Sequence, residues 1–273
     1  MAVFPIGVLL ESFQKPLSEA LNTARDLGIA GIQAHAKQIM SMNHREFADR
    51  LKDSGLILSA LCGDLGKGFG NPDWNPELIE TSKRILDLAK ELGTDIVTTH
   101  IGVVPQDPNH PRYRIMQDAC GELAEYADRL QAHFAVETGP ETAATLCAFL
   151  DGLHSTGVSV NLDPANLVMV TGDDPVQAVY TLKKYIVHTH AKDGRKLFDR
   201  DPEIIYRVVA PTEPVTDESF IELPLGEGDV PFMKYLDALH NIGYTGFLTI
   251  EREVGDQPAE DIKKAVSYLR SLF

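Results

Sequence analysis

The sequence of 273 residues is short of positive charge. Lys and Arg number 25 against 40 Asp and Glu, a formal net charge of −15. That field repels polyanions and argues against broad binding to nucleic acid or to an anionic membrane; it leaves room for a local basic pocket that holds one phosphate. Cysteine is scarce as well. Cys62, Cys120 and Cys147 are odd in number and widely spaced, with no CxxC pair, which excludes a disulfide framework or a cysteine zinc site. No apolar run reaches membrane-spanning length. The stretch from Val3 to Leu10 meets Glu11 without a basic flank, so a secretory leader is not expected and a cytoplasmic location is. The first apolar run continues as VLLESF, without the glycine pattern of a dinucleotide-binding turn. No linker or low-complexity segment divides the chain, so one domain over residues 1–273 is expected.

What is present is a regular alternation. Apolar runs at Val3–Leu10, Ile29–Ala34, Leu56–Cys62, Asp95–His100, His133–Glu137, Val158–Asp163, Ile186–Ala191 and Gly246–Glu251 read as strands. Between them lie helical patterns at Leu17–Leu27, Arg45–Ser54, Pro76–Leu92, Pro111–Gln131, Glu141–Ser155, Asp174–Lys184 and Val230–Asn241, and Pro258–Leu272 closes the chain. DLGIAGI, DSGLIL, ELGTDIV, STGVSV and NIGYTGF each place a glycine where a helix stops and a strand begins. Strands alternating with helices mean a parallel sheet. Eight such units without a break predict an α/β fold, a closed (β/α)8 TIM barrel, which takes roughly 30 residues per unit. Two loops, Gly63–Asn75 and Lys192–Asp229, are too long for plain connectors and fall on the C-terminal face, where barrel chemistry occurs. They are expected to cover part of the barrel mouth.

Four polar residues each end an apolar run on consecutive units: Glu137 in FAVETG, Asp163 in VSVNLDP, His190 in IVHTHAKD and Glu251 in FLTIERE. On parallel strands they converge on one rim. A ring of buried carboxylates is costly unless a cation neutralises it. The oxygen-rich set with one imidazole suits one divalent metal ion, Mn, Mg, Co or Zn. The alternative for each residue taken alone is a cap or an ordinary ion pair. His188 alternates with His190 onto the same face, one layer deeper. His100, ending the fourth run, is a candidate donor to substrate or to a ligand, with core packing as its alternative. Asn166 lies three residues after Asp163 and either reaches the site or caps the following turn. Lys192 and Lys196 open a basic stretch through Arg207 that could bind a phosphate or could simply be solvated. Trp74, in the glycine-rich loop, could stack on a sugar or pack against the mouth.

The ETG after the fifth strand, NLDPANL at the sixth, HTHAKD at the seventh, and LGEGDV followed by GYTGFLTIE at the eighth resemble the xylose-isomerase-like barrel superfamily, in particular its sugar and sugar-phosphate isomerases and epimerases. The resemblance covers nearly the whole chain and is most specific in its C-terminal third. It implies that Glu137, Asp163, His190 and Glu251 bind one metal and that the two glutamates are also the acid/base pair. The resemblance to the zinc-dependent apurinic endonucleases is incomplete. Their histidine three residues past the aspartate is replaced by Asn166, and ELPLGEG stands where they carry an Asp-x-His pair, so a third metal site is not implied. The second glutamate of the ketose 3-epimerases, six residues past the first, is Ala143 here.

Such a cage suits proton transfer next to a carbonyl, through a metal-stabilised enediolate flanked by two carboxylates. The expected function is isomerisation or epimerisation of a sugar or sugar derivative, a small-molecule carbohydrate. A lyase or dehydratase acting on a keto-sugar or cyclitol, as in the inosose dehydratases, is the alternative on the same cage. A DNA-repair phosphodiesterase is disfavoured by the charge, and a sugar-binding protein without turnover by the intact glutamate pair. Partners other than substrate are not expected, except that homo-oligomerisation is left open.

Overall fold

Glycine follows the helix end where the sequence places it at Gly28, Gly55, Gly93 and Gly243, and the reason is backbone geometry; at STGVSV the helix has already stopped at Asp151, and Gly157 is not left-handed. The helix Asn75–Leu92 stops at Gly93, whose φ of 85° lies in the left-handed region that a side chain disfavours. Released there, the chain turns directly into the next strand. In a computed structural model, which describes residues 4–212 and 214–273, this happens around a full circle. The strands are β1 (Ile6–Leu9), β2 (Gly31–His35), β3 (Ile57–Cys62), β4 (Ile96–Thr99), β5 (His133–Glu137), β6 (Val158–Leu162), β7 (Ile186–Ala191), β8 (Asp193–Lys196), β9 (Phe220–Leu223) and β10 (Leu248–Ile250). All except β8 and β9 form a closed parallel barrel in the order β1-β10-β7-β6-β5-β4-β3-β2, with β1 pairing both β10 and β2. The protein is a TIM barrel. The long helices between strands pack their apolar faces on its outer surface.

The expected strands all form, with β5 and β7 matching residue for residue. The first is shorter than expected. It runs from Ile6, its expected start at Val3 lies outside the described residues, and Leu10–Phe13 turn into a 3-10 helix. The helix expected over Glu141–Ser155 spans Ala143–Asp151, because Thr142 caps it and the Glu141 carboxylate is drawn away to the amide of Val104 (3.0 Å). Two ladders shift register, between Ile32 and Gln33 in the β2–β3 pair and between Val160 and Asn161 in the β6–β7 pair. Such irregularities re-aim side chains. Gln33 and Asn161 both point into the barrel end that holds the candidate site.

The segment 192–229 contains structure of its own. β8 and β9 form an antiparallel hairpin over the barrel mouth, joined through a short helix at Pro202–Ile205. The hairpin is fastened by Asp193, which is buried. Its Oδ1 accepts the amides of Gly194 (2.9 Å) and Val230 (3.1 Å), and its Oδ2 accepts those of Gly226 (2.9 Å) and Gly228 (3.0 Å). A Cβ at position 228 would fall 2.1 Å from Asp193 Oδ1, so the LGEGDV glycine is what allows the approach. The loop 63–75 is fixed differently. Phe69 is buried and its amide bonds the Ile101 carbonyl (2.8 Å), while a Cβ on Gly68 would meet Gly102 Cα and the Ile101 carbonyl at 2.6 Å. This loop is clamped against the end of β4.

Asp193→Asn should destabilise the fold, because the replacement NH2 faces two amide donors that then lose their acceptor. Leaving such groups unpaired costs about 2–3 kcal/mol, so the thermal midpoint should fall by roughly 5–10 °C. An unchanged midpoint in a thermal scan would show that the four contacts are not what holds the hairpin.

Candidate metal and active site

Four side chains meet where the barrel opens. Glu137 ends β5, Asp163 follows β6, His190 lies near the end of β7 and Glu251 follows β10. One ligand atom from each lies within 4.8 Å of all the others. Asp163 and His190 are fully buried and the two glutamate side chains are only 8% and 10% exposed, so water does little to screen them from one another.

His190 is central. Its Nδ1 lies 3.2 Å from Asp163 Oδ2, 3.3 Å from Glu251 Oε2 and 3.7 Å from Glu137 Oε1. Its Nε2 lies 2.9 Å from Gln33 Oε1. The Gln33 amide is itself oriented. Its nitrogen donates to Thr98 Oγ1 (2.7 Å), whose own proton goes to the Leu61 carbonyl (3.5 Å). The Gln33 oxygen therefore accepts the Nε2–H of His190, and the Nδ1 lone pair is directed at three carboxylates. Only a proton or a cation satisfies that arrangement. The donor set of three carboxylates and one imidazole fits a divalent ion of the Mn, Mg, Co or Zn type.

Without a metal, the electrostatics are strongly divided. Burial lifts the Glu137 carboxyl to about 7, although His100 and His190 oppose the rise. Burial works the same way on Glu251, but His190 and Lys192 outweigh it and hold this carboxyl well below the usual range. Burial disfavours the imidazolium of His190, yet Glu251, Glu137 and Asp163 raise its pKa well above the ordinary value. Lys192 is 3% exposed, with its Nζ 3.0 Å from Glu251, 3.6 Å from Glu222 and in contact with Glu253. Burial alone would neutralise it; Glu251 and Asp163 keep it charged. Lys192 is a buried cation beside Glu251.

A cavity of about 1000 Å³ opens over this cluster. Glu137, Glu251, His100, Asn166 and Lys192 line it. Asn166 donates from Nδ2 to Glu137 Oε1 (3.1 Å), while the turn Pro164–Asn166, which it ends, is capped by Asp163, whose Oδ1 accepts the Asn166 amide (2.8 Å). His100 Nε2 lies 3.5 Å from Glu137 Oε1. Burial opposes protonation of His100, but Glu137 and Asp64 raise its pKa.

Three expected substrate residues stand elsewhere. His188 lies beneath the cluster, with Nδ1 bonded to Asn161 Oδ1 (2.9 Å) and Nε2 to Thr249 Oγ1 (3.0 Å); burial keeps it neutral and it does not reach the cavity. Lys196 faces Asp199 at 2.6 Å and does not line this cavity. The basic stretch it belongs to disperses: Arg195 pairs with Asp229 and Arg200 bonds the Asp217 carbonyl. Trp74 borders a neighbouring cavity, because the clamped loop 63–75 forms a side wall there and sends only Asp64 and Gly66 to the main one. The 192–229 segment does reach the mouth, with Tyr206, Phe220 and Glu222.

Sequence reading missed Gln33, Tyr206 and Glu141. Gln33 sits inside an otherwise apolar run and could have been flagged as a buried polar residue. Tyr206 gave no signal, since its place depends on the path of a long insertion. Glu141 follows Glu137 by four positions; burial lifts it to about 8, with the Val104 amide opposing, so it is largely a neutral acid at pH 7.

Residues 21–272 match the family described as the xylose isomerase-like TIM barrel. A xylose isomerase domain protein from Planctomyces limnophilus shares 26% identity with a TM-score of 0.77, over 98% of this chain and 96% of that one. The apo form of 3-keto-D-glucoside 4-epimerase from E. coli shares 16% identity with a TM-score of 0.76, over 98% of this chain and 100% of that one; at this identity the likeness is one of fold. An uncharacterised protein of Methanocaldococcus jannaschii is 21% identical over 211 residues, 72% of this chain, and the chain spans 64% of that relative's length.

Replacing Gln33 by Leu frees the His190 ring while leaving all four donors in place. Loss of such an orienting partner typically costs 10- to 100-fold in metal affinity, and a Mn²⁺ or Zn²⁺ titration should show a loss of about that size. Equal affinity in the variant would mean that packing alone orients the ring.

The metal-free protein should also lose stability as pH rises from about 6.5 to about 8. Glu137, Glu141 and His190 have raised values in the fold, so over this window the folded chain holds protons that the unfolded chain has released, and stability falls with pH. His188 and His133, lowered by burial, pull the other way only below their ordinary 6.5. Denaturation midpoints measured with chelator and with added metal should converge at the acid end of this range and separate at the alkaline end. A chelated midpoint that rises through the window would contradict the protonation scheme.

Proposed function

The chain belongs to the xylose isomerase-like TIM-barrel family, and from that premise we propose that it is a metal-dependent isomerase or epimerase of a sugar or sugar derivative. The observation that carries this reading is the convergence of the Glu137 and Glu251 carboxylates on His190 Nδ1, at 3.7 and 3.3 Å, in the lining of a cavity large enough for a carbohydrate. The two glutamates come from β5 and β10, with β6 and β7 between them, so they approach a bound substrate from different directions. Bound at Glu137, Asp163, His190 and Glu251, a divalent ion would polarise a carbonyl and stabilise the negative charge that develops on oxygen as the adjacent proton leaves.

The side chains divide the remaining work. Glu251, kept ionised by Lys192, accepts the proton from the carbon beside the carbonyl. Glu137, the second carboxylate of the pair, returns a proton to the carbon framework. Asn166 and His100 orient Glu137 through its Oε1. Tyr206 offers a neutral hydroxyl to a substrate oxygen, since burial raises its pKa well above the ordinary value. Returning the proton to the opposite face of the same carbon gives an epimer; returning it to the neighbouring carbon gives an isomer. The lyase alternative shares the first proton removal and differs in expelling water afterwards.

Incubation with ketoses, keto-sugars and cyclitols in deuterated water should place deuterium on a carbon next to the carbonyl, and loss of water from the product would identify the lyase chemistry instead. Glu137→Gln and Glu251→Gln should each lower turnover about 100- to 10,000-fold with substrate binding reduced far less, because glutamine keeps an oxygen but cannot accept a proton at neutral pH. One of them should still exchange the proton of a single epimer with solvent. Metal content is measured alongside, and a variant that keeps its metal and near-normal turnover would reduce that glutamate to a ligand.

A further inference from the structure

A second cavity, of about 570 Å³, lies beside the first and shares Asp64, Gly66, His100 and Tyr206 with it. The His100 and Tyr206 rings, 5.7 Å apart between centroids, stand at the boundary of the two. Beyond them the lining changes character. Lys67, Arg112 and Arg207 bring cations, and Trp74, Val103 and Met116 bring apolar surface. In a chain of net charge −15 this concentration of cations runs against the general field. Arg112 is paired with Glu203, and Asp64 supplies one carboxylate to the cavity. Lys67 lies over the Trp74 ring, 4.7 Å from its centroid. Neither Lys67 nor Arg207 faces a carboxylate partner among the described residues.

The backbone around these cations is built at some cost. Arg207 follows the short helix Pro202–Ile205 with φ of 57°, a left-handed position where glycine is usual. Arg112 lies across Gly70, where a Cβ would come within 2.6 Å of its Cδ, and its Nε is buried without a hydrogen-bond partner. A buried guanidinium N–H without an acceptor, an arginine held in a glycine position and an unpaired lysine all border one cavity, which opens toward the reacting carboxylates.

We propose that this cavity is a second substrate subsite, which takes an anionic group, carboxylate or phosphate, carried on the part of the substrate that does not react. The substrate is then a sugar acid, a sugar phosphate or a sugar joined to an acidic ring. Its reacting carbons lie over Glu137 and Glu251, its body passes alongside the His100 and Tyr206 rings, and its anion reaches Lys67, Arg112 and Arg207. This assignment rests on the reading of the four-residue cluster as a site of proton transfer on a sugar. The apolar wall around Trp74 accommodates the ring face or chain that bears the anion.

Trp74 is the only tryptophan in the chain and lines this cavity, so its fluorescence reports occupancy without any turnover. Glucuronate, glucose 6-phosphate and neutral methyl glucoside are titrated at constant ionic strength. A saturable change in emission with one or both acids, and none with the neutral glycoside, is expected; the acid that responds distinguishes carboxylate from phosphate. Arg207→Gly and Lys67→Met should each weaken that response about tenfold or more. Arg207→Gly should leave the thermal midpoint unchanged or raised, because glycine suits the left-handed position, and Lys67→Arg should retain binding. No saturable response to either acid, or a response equal to that of the neutral glycoside, overturns the assignment, as does wild-type affinity in both charge-removing variants. Deuterium exchange is followed separately. Acid binding without exchange leaves the subsite standing and removes the proton-transfer reading, whereas exchange without discrimination between acid and neutral ligands removes only the subsite.

Discussion

Three carboxylates are buried around one imidazole nitrogen, and the rest of the structure is arranged to make that tolerable. Unpaired charges in such a place would cost several kcal/mol each. The chain offsets this cost partly with protons, seen in the raised values of Glu137 and His190, and partly with Lys192. A divalent ion would do the same more completely. A low stability of the empty cluster and an affinity for a cation would thus be two expressions of one electrostatic fact. It also explains why the charges face inward at the barrel mouth, where closure of the sheet brings β5, β6, β7 and β10 side by side.

The cluster stands on a polar layer. Gln33, Thr98, Asn161, His188 and Thr249 bond to one another or to the ligands above them, and none is left with an orphaned side-chain atom. A satisfied network of this kind fixes geometry where a partly satisfied one would destabilise the core. Its reach is long in sequence, since Gln33 and His190 are 157 residues apart. Both register shifts of the barrel fall at members of this layer, Gln33 and Asn161. The local departure from a regular ladder and the orientation of His190 are parts of one arrangement.

Much of this was legible in the sequence, and the boundary is physical. Strand and helix order follow from periodicity and glycine punctuation, which are local. The four ligand candidates were legible because the barrel turns "end of a strand" into "same rim", a conversion that needs only topology. Their supports were not. Whether Lys192 serves a phosphate or a carboxylate depends on which side chains surround it, and the hairpin brings it Glu222 from thirty positions away. Lys196, close by in sequence, points to Asp199 at the surface. Asn166 was read as either reaching the site or capping the following turn; its side chain bonds Glu137 and makes no cap bond to Leu167–Thr171. Arg207 and Trp74 were visible as residues, but the second cavity they border is made by two loops from distant parts of the chain meeting.

The insertion after β7 is best understood through the charges it carries inward. Asp261 on the C-terminal helix pairs with Arg252 (3.0 Å), Arg252 with Glu222 on β9 (2.8 Å), Glu222 with Lys192 (3.6 Å) and Lys192 with Glu251 (3.0 Å). Signs alternate along this series, and Glu222, Arg252 and Lys192 are all buried. Buried ion pairs add little net stability, because desolvation cancels most of the attraction. What they supply is position: each charge is acceptable only where its neighbours put it. The series ends on Glu251 and does not extend to Glu137, whose nearest cationic neighbours are histidines. The asymmetry between the two glutamates therefore has two sources, His190 inside the barrel and Lys192, which a hairpin and the C-terminal helix help to position. A barrel closed by a short turn after β7 could hold the same four ligands, yet it would lack Glu222, which faces Lys192 from the side away from the ligands and joins it to Arg252.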